Sequence, residues 1–422
     1  MSTTQVTDDK TIIITGAGII GLACAHYLAR SGFKVTVIDK GRLAGACSHG
    51  NCGYICPSHV LPLTEPGAVK MALKSLFQPD APFRVKPRFS PALWTWMLQF
   101  ARRCNHRQML EAGAGLKALL DLSMSEYRSL VAEEGMDCEW KEKGLLYVLR
   151  SDKGMSSFAA HDRLLTEHFG VRARRIEGDA LPGLDPALKP GLAGGFLYEG
   201  DTHLRPDVLA RNWIERLKEQ GVVFMEHCAL HTIRKADGRI TGLVTGQGDL
   251  GADHYVFATG AWMAKLAPGL ECRMPIECGK GYSVTMTRPA RCPEYPMLFP
   301  EHRVGVTPFD QGYRLGSMME FSGYDTSIPA KRIKQLRTSA APYLVEPFTD
   351  TVEEEWFGWR PMTWDSLPII GRTPSLANAF LATGHNMLGL SLAPATGRLI
   401  AEMIRGQDPS IDVHAFRPER FA

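Results

Sequence analysis

A glycine-rich hexapeptide near the start of the chain is the most specific chemical signal in the sequence. Gly16-Ala17-Gly18-Ile19-Ile20-Gly21 follows a β-branched run and precedes a stretch with helical spacing. In this pattern the first glycine permits a sharp turn, the second lets the backbone approach a pyrophosphate, and the third lets helix and strand pack closely. Asp39 follows at the distance expected of a carboxylate that accepts hydrogen bonds from ribose hydroxyls. The spacing therefore predicts a dinucleotide site.

A second chemical candidate lies near the C-terminal end, where one arginine stands among aromatic residues. The segment reads Trp356-Phe357-Gly358-Trp359-Arg360-Pro361-Met362. A guanidinium fork between aromatic walls suits bidentate capture of a carboxylate in a low dielectric. The alternative is a surface arginine stacked on tryptophan. We expect the carboxylate clamp.

The elements that must position the glycine loop are a strand, a helix and a second strand. The sequence predicts a buried parallel strand over Thr11–Thr15, a helix from Ile20 to Arg30 and a strand over Lys34–Ile38. A second glycine pattern, at residues 246–251, is followed by a strand-like run and not by a helix, which predicts a hairpin turn. We therefore expect one dinucleotide site in the chain.

Near the C-terminus, Gly389 permits close backbone approach, and Pro394 suits the first turn of a helix that runs to Ile404. The positive end of that helix would stabilise negative charge on a ligand.

Three later segments resemble one enzyme family. They are residues 42–53, a small-residue loop; residues 255–262, which read Tyr-Val-Phe-Ala-Thr-Gly-Ala-Trp; and residues 384–397, which read Gly-His-Asn-Met-Leu-Gly-Leu-Ser-Leu-Ala-Pro-Ala-Thr-Gly. In this order they resemble the D-amino acid oxidase and glycine oxidase superfamily of FAD enzymes. Residues 53–59 and 280–283 resemble those of bacterial D-amino acid dehydrogenases most closely. The resemblance runs from about residue 11 to 402 and is weakest over 82–192.

The resemblance implies a set of contacts with FAD. Asp39, with Lys40 beside it, would hold the adenosine ribose, and Leu230 would pair its backbone with adenine. The remaining implied contacts are those of Ser48, His49, Asn51, Gly53, Thr259, Gly260, Gly384, Gly389, Leu390 and Ser391, beside the glycine loop itself.

On the substrate side, the resemblance implies that Arg360 binds the substrate carboxylate. Tyr282 and Lys280 are further candidates for lining the pocket. Hydride transfer from the substrate Cα to flavin N5 requires no side-chain base, so no catalytic histidine is assigned. His49, His203 and His385 are candidates for such a role, but a lone histidine in a cofactor loop is more often structural.

The predicted fold class is α/β, α+β overall, with a Rossmann-like FAD-binding domain and an interleaved antiparallel-sheet substrate domain. Residues 11–82, 204–263 and 357–422 would form the FAD-binding domain, and 83–203 and 264–356 the substrate-binding domain. Helices are expected between Leu93 and Glu134, and strands at 145–149, 282–286 and 313–318.

Composition limits the partners and the compartment. A net charge of +3 over 422 residues gives no reason to expect nucleic-acid binding. The first ten residues lack the pattern of a signal peptide, and the ten cysteines are expected to be reduced thiols in a cytoplasmic protein. Cys47, Cys52 and Cys56 do not have the spacing of an iron–sulfur ligand set. The aromatic and basic segment from Leu93 to Arg103 predicts a buried helix, with peripheral contact to the inner face of the membrane as the alternative.

Together these features predict FAD-dependent oxidation of D-amino acids to 2-oxo acids, with electrons passed to a quinone or another carrier. Several alternatives remain open: an oxygen-using glycine, sarcosine or D-amino acid oxidase, a D-proline or hydroxyproline dehydrogenase, a flavin subunit of an electron-transfer complex, and a plain NAD dehydrogenase. The sequence predicts no oligomeric state.

Overall fold

The computed structural model describes residues 10–45, 47–76, 83–86 and 89–422. The end of the first predicted FAD-binding segment, at residue 82, and nearly all of the N-terminal decapeptide lie outside them. The described helices are α1 Ile19–Arg30, α2 Ala68–Leu76, α3 Pro91–Arg103, α4 His106–Ala132, α5 Asp152–Phe169, α6 Leu181–Leu184, α7 Pro206–Glu219, α8 Met263–Leu266, α9 Ala330–Ala340 and α10 Gly389–Ile404.

The strands of the described residues are β1 Thr11–Thr15, β2 Lys34–Ile38, β3 Tyr54–Ile55, β4 Phe83–Val85, β5 Leu145–Leu149, β6 Arg174–Glu177, β7 Gly194–Tyr198, β8 Thr202–His203, β9 Val223–Met225, β10 Leu230–Ala236, β11 Arg239–Thr245, β12 Gly248–Leu250, β13 His254–Phe257, β14 Ile276–Met286, β15 Met297–Phe299, β16 Val304–Pro308, β17 Tyr313–Phe321, β18 Val352–Thr363, β19 Ile369–Arg372 and β20 Ala379–Thr383.

A six-stranded sheet, in the order β19-β20-β13-β1-β2-β9, carries the glycine loop. Its pairs are parallel except for β19 with β20. Ile12 and Ile14 pack on one face with α1, α4, α7 and α10, and Ile13 packs on the other face. A strand buried on both faces accounts for the continuous apolar run at the start of the chain. The predicted strand–helix–strand unit is confirmed, with α1 starting one residue earlier than predicted.

A nine-stranded sheet lies opposite, in the order β18-β14-β17-β16-β15-β5-β7-β6, with β4 added beside β17. We expected an antiparallel sheet, and most pairs are antiparallel, but β15–β5 and β4–β17 are parallel. Hairpins force neighbouring strands to be antiparallel, whereas β4 and β5 are joined to their neighbours through long intervening chain and are free of that constraint. The sheet is therefore mixed.

The two large sheets draw on different parts of the chain. Strands of the six-stranded sheet come from residues 11–38, 223–257 and 369–383, and those of the nine-stranded sheet from 83–198 and 276–363. The predicted boundary at residue 357 falls inside β18. The helix α4, from a segment predicted for the substrate domain, packs on α10 in the core of the six-stranded sheet. The division into two domains stays a prediction.

The second glycine pattern, at residues 246–251, forms the turn and the following strand of a hairpin. Strands β11 and β12 pair antiparallel across it, with Thr245 opposite Gly248. This confirms the interpretation of the pattern as a hairpin turn, since no helix N-terminus follows it.

The C-terminal helix differs from the prediction at its start. It begins at Gly389, so Pro394 is its sixth residue and does not lie in the first turn. A proline inside a helix leaves the carbonyl four residues earlier without a helical donor. Here the Tyr127 hydroxyl of α4 donates to the Leu390 carbonyl at 2.7 Å. Tertiary packing thus satisfies the group that Pro394 leaves free, and the helix continues through it.

The predicted helical stretch from Leu93 to Glu134 is two helices, α3 and α4. The Asn105 side chain accepts a hydrogen bond from the backbone N–H of Gln108 at 3.1 Å and so caps α4. None of the described helices is both long and apolar enough to cross a bilayer.

Candidate active site

A cavity of about 1840 Å³ lies between the two large sheets. It collects most of the residues predicted from the sequence to bind cofactor or substrate. Those that line it are Gly16, Gly18, Ile19, Ile20, Asp39, Lys40, Ser48, Asn51, Leu230, Thr259, Gly260, Tyr282, Arg360, Gly389, Leu390 and Ser391. Those that do not are Ala17, Gly21, His49, Gly53, Lys280 and Gly384.

The glycine loop at one end of the cavity has the close packing that its sequence predicts. Gly16 has a φ of +107°, and a Cβ there would lie 2.6 Å from the Ala258 carbonyl oxygen. A Cβ on Gly21 would lie 1.9 Å from the Gly16 oxygen. No side chain larger than hydrogen fits at either position, so strand, loop and α1 are held in contact. The N-terminal N–H groups of α1, capped by Gly18, are the donors that a pyrophosphate requires.

Asp39 fixes this loop and keeps capacity for a ligand. Its Oδ2 accepts from the Ala17 N–H and its Oδ1 from the Gly41 N–H, both at 2.8 Å. A carboxylate has about four acceptor positions, so two remain for ribose hydroxyls. The nearby Thr15 hydroxyl borders the cavity and is buried without a hydrogen-bond partner among the described residues. These groups fit a bound dinucleotide.

The adenosine end of the predicted site is built around Asp39 as well. The Cys228 N–H donates to the Asp39 carbonyl at 2.7 Å, and β10 then begins at Leu230. The Lys40 ammonium lies 3.1 Å from the centre of the Trp262 ring, next to Thr259 and Gly260 at the end of β13. The structure thus brings together the four predicted contacts Lys40, Leu230, Thr259 and Gly260.

The nine-stranded sheet holds the small-residue loop of residues 47–53 by three side chains. Ser283 Oγ donates to the Gly50 carbonyl at 2.7 Å, and Thr307 Oγ1 donates to the Cys52 carbonyl at 2.6 Å. Arg314, 1% exposed, donates from Nη1 to the Asn51 carbonyl at 2.7 Å. Our sequence reasoning missed all three residues. The signal available was a polar side chain inside each of three apolar strands.

Two predicted cofactor residues in this loop shape it and do not border the cavity. His49 Nε2 lies 3.0 Å from Glu354 Oε1, and this hydrogen bond raises the pKa of His49 above its ordinary value. Gly53 has a φ of +81°, and a Cβ there would lie 1.9 Å from the Leu204 oxygen. Both residues position the loop from outside.

Arg360 lies at the cavity wall with one side of its guanidinium already engaged. Nη1 donates to the Met318 carbonyl at 2.6 Å, and a Cβ on Gly281 would lie 2.4–2.6 Å from the guanidinium atoms. No carboxylate of the described residues forms an ion pair with Arg360. Burial lowers the pKa of Arg360 from its ordinary value, but a guanidinium stays protonated in proteins. Within the described part of the chain, the site therefore presents a cation without an anionic partner.

A β-bulge supplies the Met318 carbonyl. Lys280 pairs with Glu320 and Tyr282 pairs with Ser317, so β17 has one more residue than β14 over this span. Met318 takes a φ of +74°, which is costly for a residue with a side chain. Bulges often redirect groups beside active sites, and this one turns a carbonyl toward Arg360.

Two of the three aromatic residues before Arg360, Phe357 and Trp359, do not form walls around it, contrary to our expectation, whereas Trp356 lies on the same face of β18 as Arg360. Successive side chains of a strand point to opposite faces. The rings of Phe357 and Trp359 pack 5.0 Å apart, and Trp359 packs against Trp262 and Tyr324, on the face away from the guanidinium.

Lys280 and Tyr282 also point to the face away from Arg360. The Lys280 ammonium is fully buried and donates to the Ser327 carbonyl, so the expectation that it lines the pocket is wrong. Tyr282 borders the cavity, but its ring packs in the core beside α9 and its hydroxyl donates to Glu320 Oε2 at 2.5 Å. Because side chains alternate between the two faces of a strand, Gly281 is on the face of Arg360, and its neighbours Lys280 and Tyr282 are on the other face.

A row of glycines crosses four neighbouring strands of the cavity ceiling. Gly358 pairs with Gly281, and Gly316 pairs with Gly305 one strand further along. Each makes room for a side chain that lies against the sheet: Trp356 of the same strand over Gly358, Arg360 over Gly281, Cys52 over Gly316 and Tyr54 over Gly305. Glycine inside a strand marks such a close approach of other groups. These four glycines were therefore the signal in the sequence for the side chains that pack against the cavity ceiling.

The C-terminal loop joins the strand of Arg360 to α10. Asn386, with a φ of +52°, donates from its N–H to the Pro361 carbonyl at 3.1 Å and accepts at Oδ1 from the Thr363 N–H. Gly384, with a φ of +71°, packs on Thr363 and does not reach the cavity. Ser391 Oγ donates to the Tyr54 carbonyl at 3.0 Å, which ties the start of α10 to β3, directly after the loop of residues 47–53, called the cofactor loop below.

The buried histidines near the cavity are held neutral. Burial lowers the pKa of His385 to about 3 and that of His203 to about 4. His385 Nε2 lies 2.9 Å from the Thr396 hydroxyl. Among the described residues, no group of three or more histidine, cysteine or carboxylate side chains could hold a metal ion.

Comparison with known proteins agrees with this geometry. The family model described as DAO, FAD dependent oxidoreductase, matches residues 11–403. A D-amino acid dehydrogenase of Xanthobacter autotrophicus is 31% identical over 97% of this chain and 99% of its own, and one of Granulibacter bethesdensis is 32% identical over 95% and 97%. Among solved structures, glycine oxidase from Geobacillus kaustophilus has a TM-score of 0.76 at 21% identity, over 98% of this chain and 100% of its own. L-proline dehydrogenase from P. horikoshii has a TM-score of 0.74 at 20% identity, over 98% of each chain.

Proposed function

The chain belongs to the DAO family of FAD dependent oxidoreductases, and on this premise we propose that it oxidises D-amino acids to 2-oxo acids. The D-amino acid dehydrogenases that share about 30% identity over nearly the whole chain support this substrate class. The observation that carries the proposal is Arg360, a half-buried cation at the cavity wall that lacks an acidic partner among the described residues.

FAD would be held at the glycine loop and Asp39, along the loop of Ser48 and Asn51, and at the start of α10. The chemistry that FAD supplies when bound is acceptance of a hydride at N5. The N-terminal end of α10 faces the cavity through Gly389 and Leu390, and its positive dipole would stabilise negative charge there.

Arg360 would bind the substrate carboxylate and orient Cα. Its Nη1 is committed to the Met318 carbonyl, so the free edge of the fork is already directed when the substrate arrives. This preorganisation contributes to catalysis by orientation and needs no side-chain base. His385 is neutral and hydrogen-bonded to Thr396, so it gives the site polarity and not charge.

Anaerobic reduction tests this function. Mixing the purified yellow holoprotein with D-alanine or D-proline without oxygen should bleach the flavin absorbance, and the L-enantiomers should not. Losing one partner of a buried charge pair costs about 2–5 kcal/mol, so Arg360→Met should lower kcat/KM by about 30-fold or more. Undiminished efficiency in Arg360→Met, or bleaching by L-amino acids alone, would overturn the proposal.

The electron acceptor is proposed to be a quinone or another carrier. Admitting air to the bleached protein separates this from the oxygen-using oxidase: fast reoxidation with peroxide would contradict the dehydrogenase. Activity of the purified chain with a dye would exclude a flavin subunit that is inactive alone.

Contact with the inner face of the membrane is proposed for α2 and α3. Leu93 and Trp96 are buried, as a packed helix requires, but Trp94 is 58% exposed and Leu98 52% exposed on the same helix. Arg102 is exposed at its end, where it can meet anionic lipid. The ten cysteines, none of them in a disulfide, support a cytoplasmic location.

Sedimentation with vesicles containing phosphatidylglycerol tests this contact. The double change Trp94→Ser and Leu98→Ser should reduce binding several-fold, whereas Phe348→Ser, at another exposed apolar position, should not. Equal binding of all three proteins, or none by any, would contradict it.

A further inference from the structure

The cavity has a second region, beyond the contacts assigned to cofactor and substrate. It is lined by His59, Tyr147, Phe158, His161, Leu165 and Tyr198, from the chain after the cofactor loop and from β5, α5 and β7. We refer to these six residues as the β5–α5 chamber.

The β5–α5 chamber is too far from Arg360 to serve the same ligand. Arg360 is on β18 and Tyr147 on β5, and four strands, β14, β17, β16 and β15, lie between them. At about 4.8 Å per strand, the separation along the sheet is roughly 24 Å. An amino acid anchored by its carboxylate at Arg360 spans only a fraction of that distance.

The chamber is nevertheless close to the place expected for the flavin. Ser391, in the first turn of α10, accepts at Oγ from the Cys56 N–H at 3.4 Å. The His59 N–H donates to the Cys56 carbonyl at 3.1 Å, so His59 is one turn of chain away from this contact. A ligand in the chamber would therefore lie near the part of the cofactor site that the start of α10 forms.

The polar groups of the chamber are neutral hydrogen-bonding groups. His59 Nε2 lies 2.7 Å from the Tyr147 hydroxyl, and burial lowers the pKa of His59 to about 4. Burial also lowers the pKa of His161, whose ring nitrogens form no hydrogen bond with a described residue. A neutral imidazole can donate to a carbonyl and can accept from a hydroxyl. The ring nitrogens of His161 thus keep hydrogen-bonding capacity for a ligand in the chamber.

The walls of the chamber are aromatic. The Phe158 ring centre lies 5.3 Å from that of His161 and 4.7 Å from that of Tyr147, and Tyr147 packs on Tyr198 at 5.5 Å. Flat rings with a few neutral donors suit a planar, uncharged ring that bears carbonyl oxygens.

An apolar wall leads from the chamber to the surface. After His59 the lining continues with Leu61, Leu63, Val69, Met71 and Leu73, and the oppositely charged Glu65 and Arg303 line the same stretch. Met71 is 49% exposed and Leu73 55% exposed, on α2. An apolar chain attached to the ring could follow this wall to the face proposed above to meet the membrane.

We propose that the β5–α5 chamber binds the ring of a quinone that reoxidises the enzyme, with His161 as a hydrogen-bond donor to a ring carbonyl. This inference rests on the proposed function for the source of electrons. The step balances: the reduced cofactor gives up two electrons and one proton and returns to its oxidised form, while the quinone takes two electrons and two protons and becomes the quinol. The second proton comes from solvent.

The test separates the two half-reactions of the holoenzyme. Flavin bleaching by a D-amino acid is followed anaerobically, and reoxidation by a short-chain ubiquinone is followed after a second mixing. Affinity for a redox-inert hydroxyquinoline N-oxide is measured separately by calorimetry on the oxidised protein. The variants are His161→Leu, His161→Gln, and the control His168→Leu, at an exposed position on the same helix.

Losing one hydrogen bond corresponds to about a tenfold effect. His161→Leu should slow reoxidation and weaken analogue binding by about that factor, with bleaching unchanged. His161→Gln should restore most of both, and His168→Leu should behave as the parent protein. Unchanged reoxidation and analogue affinity in His161→Leu would overturn the proposal, as would a loss confined to bleaching, which would make the chamber a substrate subsite. If no variant is bleached by D-amino acids, the proposed function fails, while analogue binding still decides on the chamber.

Discussion

At the scale of single residues, the position of Arg360 depends on a hydrogen atom at residue 281. A guanidinium can lie flat against a strand only where that strand has no side chain, and a methyl group on Gly281 would lie within 2.6 Å of it. Gly281→Ala should therefore displace Arg360 and raise KM for amino acids about tenfold or more, because the carboxylate contact loses its geometry. The measurement is steady-state kinetics with a dye acceptor, together with flavin content.

Gly183→Ala is the matched control, since a Cβ at residue 183 would meet nothing within 4 Å. An unchanged KM in Gly281→Ala would show that Arg360 does not act from the observed position.

The pair of His49 and Glu354 predicts a pH dependence of stability. Their hydrogen bond raises the pKa of His49 and lowers that of Glu354. The His49 contribution is complete below its unfolded pKa of about 6.5 and is lost as pH rises through its folded pKa. The Glu354 contribution is complete above about 4.5 and is lost as pH falls through its folded pKa. The stabilisation is therefore greatest between about pH 4.5 and 6.5.

His49→Gln should lower the free energy of unfolding most in that window and least at pH 8, as measured by urea denaturation across pH. A destabilisation that is equal at pH 5.5 and pH 8 would show that the ion pair is not its cause.

The sequence predicted which residue types form the site better than it predicted the directions in which their side chains point. The glycine loop, Asp39 and Arg360 were identified because each has a local pattern. Lys280, Phe357 and Trp359 were assigned to the wrong face, because adjacent residues of a strand point to opposite faces of the sheet. The site assignments themselves stay predictions until variants are measured.

At the scale of elements, Arg314 joins the cofactor loop to β17. It donates to the Asn51 and His49 carbonyls and to Thr285, so it holds two loop carbonyls in place. Arg314→Met should weaken FAD binding about tenfold or more and lower the melting temperature, because the loop loses its anchor and buried carbonyls lose their donor. Titration of apoprotein with FAD checks the first effect.

Arg128→Met, which removes an exposed arginine on α4, is the control. Wild-type FAD affinity in Arg314→Met would refute the anchoring role.

Elements with a strong local pattern were predicted nearly to the residue, as with β1, α1 and β2. The start of α10 was not, because Pro394 normally marks a first turn. The donor that permits it inside the helix, Tyr127, is 263 residues away in sequence. A contact between residues so far apart in sequence cannot be recognised from the local sequence pattern around Pro394.

At the scale of the whole molecule, one cavity lies between two sheets that the chain builds alternately. A ligand that fills it contacts both sheets, so FAD binding should stabilise the entire fold. At a hundredfold excess over Kd, binding contributes about 2.7 kcal/mol. Calorimetry of the apoprotein should show a melting temperature that rises by several degrees with added FAD.

NAD is the comparison ligand in that experiment. A rise with NAD and none with FAD would contradict the cofactor assignment and would favour the plain NAD dehydrogenase.

The fold class could be predicted at this scale, since it follows from the spacing of a few motifs, and the single dinucleotide site stays a prediction. The parallel pairs within the nine-stranded sheet could not, because they join segments about 150 or more residues apart along the chain. Only packing of the complete chain decides their direction.

The row of glycines over the cavity also restricts how this protein can evolve. Glycine has nothing left to remove, so every mutation at Gly281, Gly305, Gly316 or Gly358 takes volume from the ceiling. A related enzyme that evolves to bind bulkier substrates must therefore gain space through substitutions at other positions of the cavity. Two flexible side chains that could be shortened are Met319 and Met362, which crowd the space over Gly279 and border the cavity. Mutant libraries designed to broaden the substrate range should begin with those two methionines.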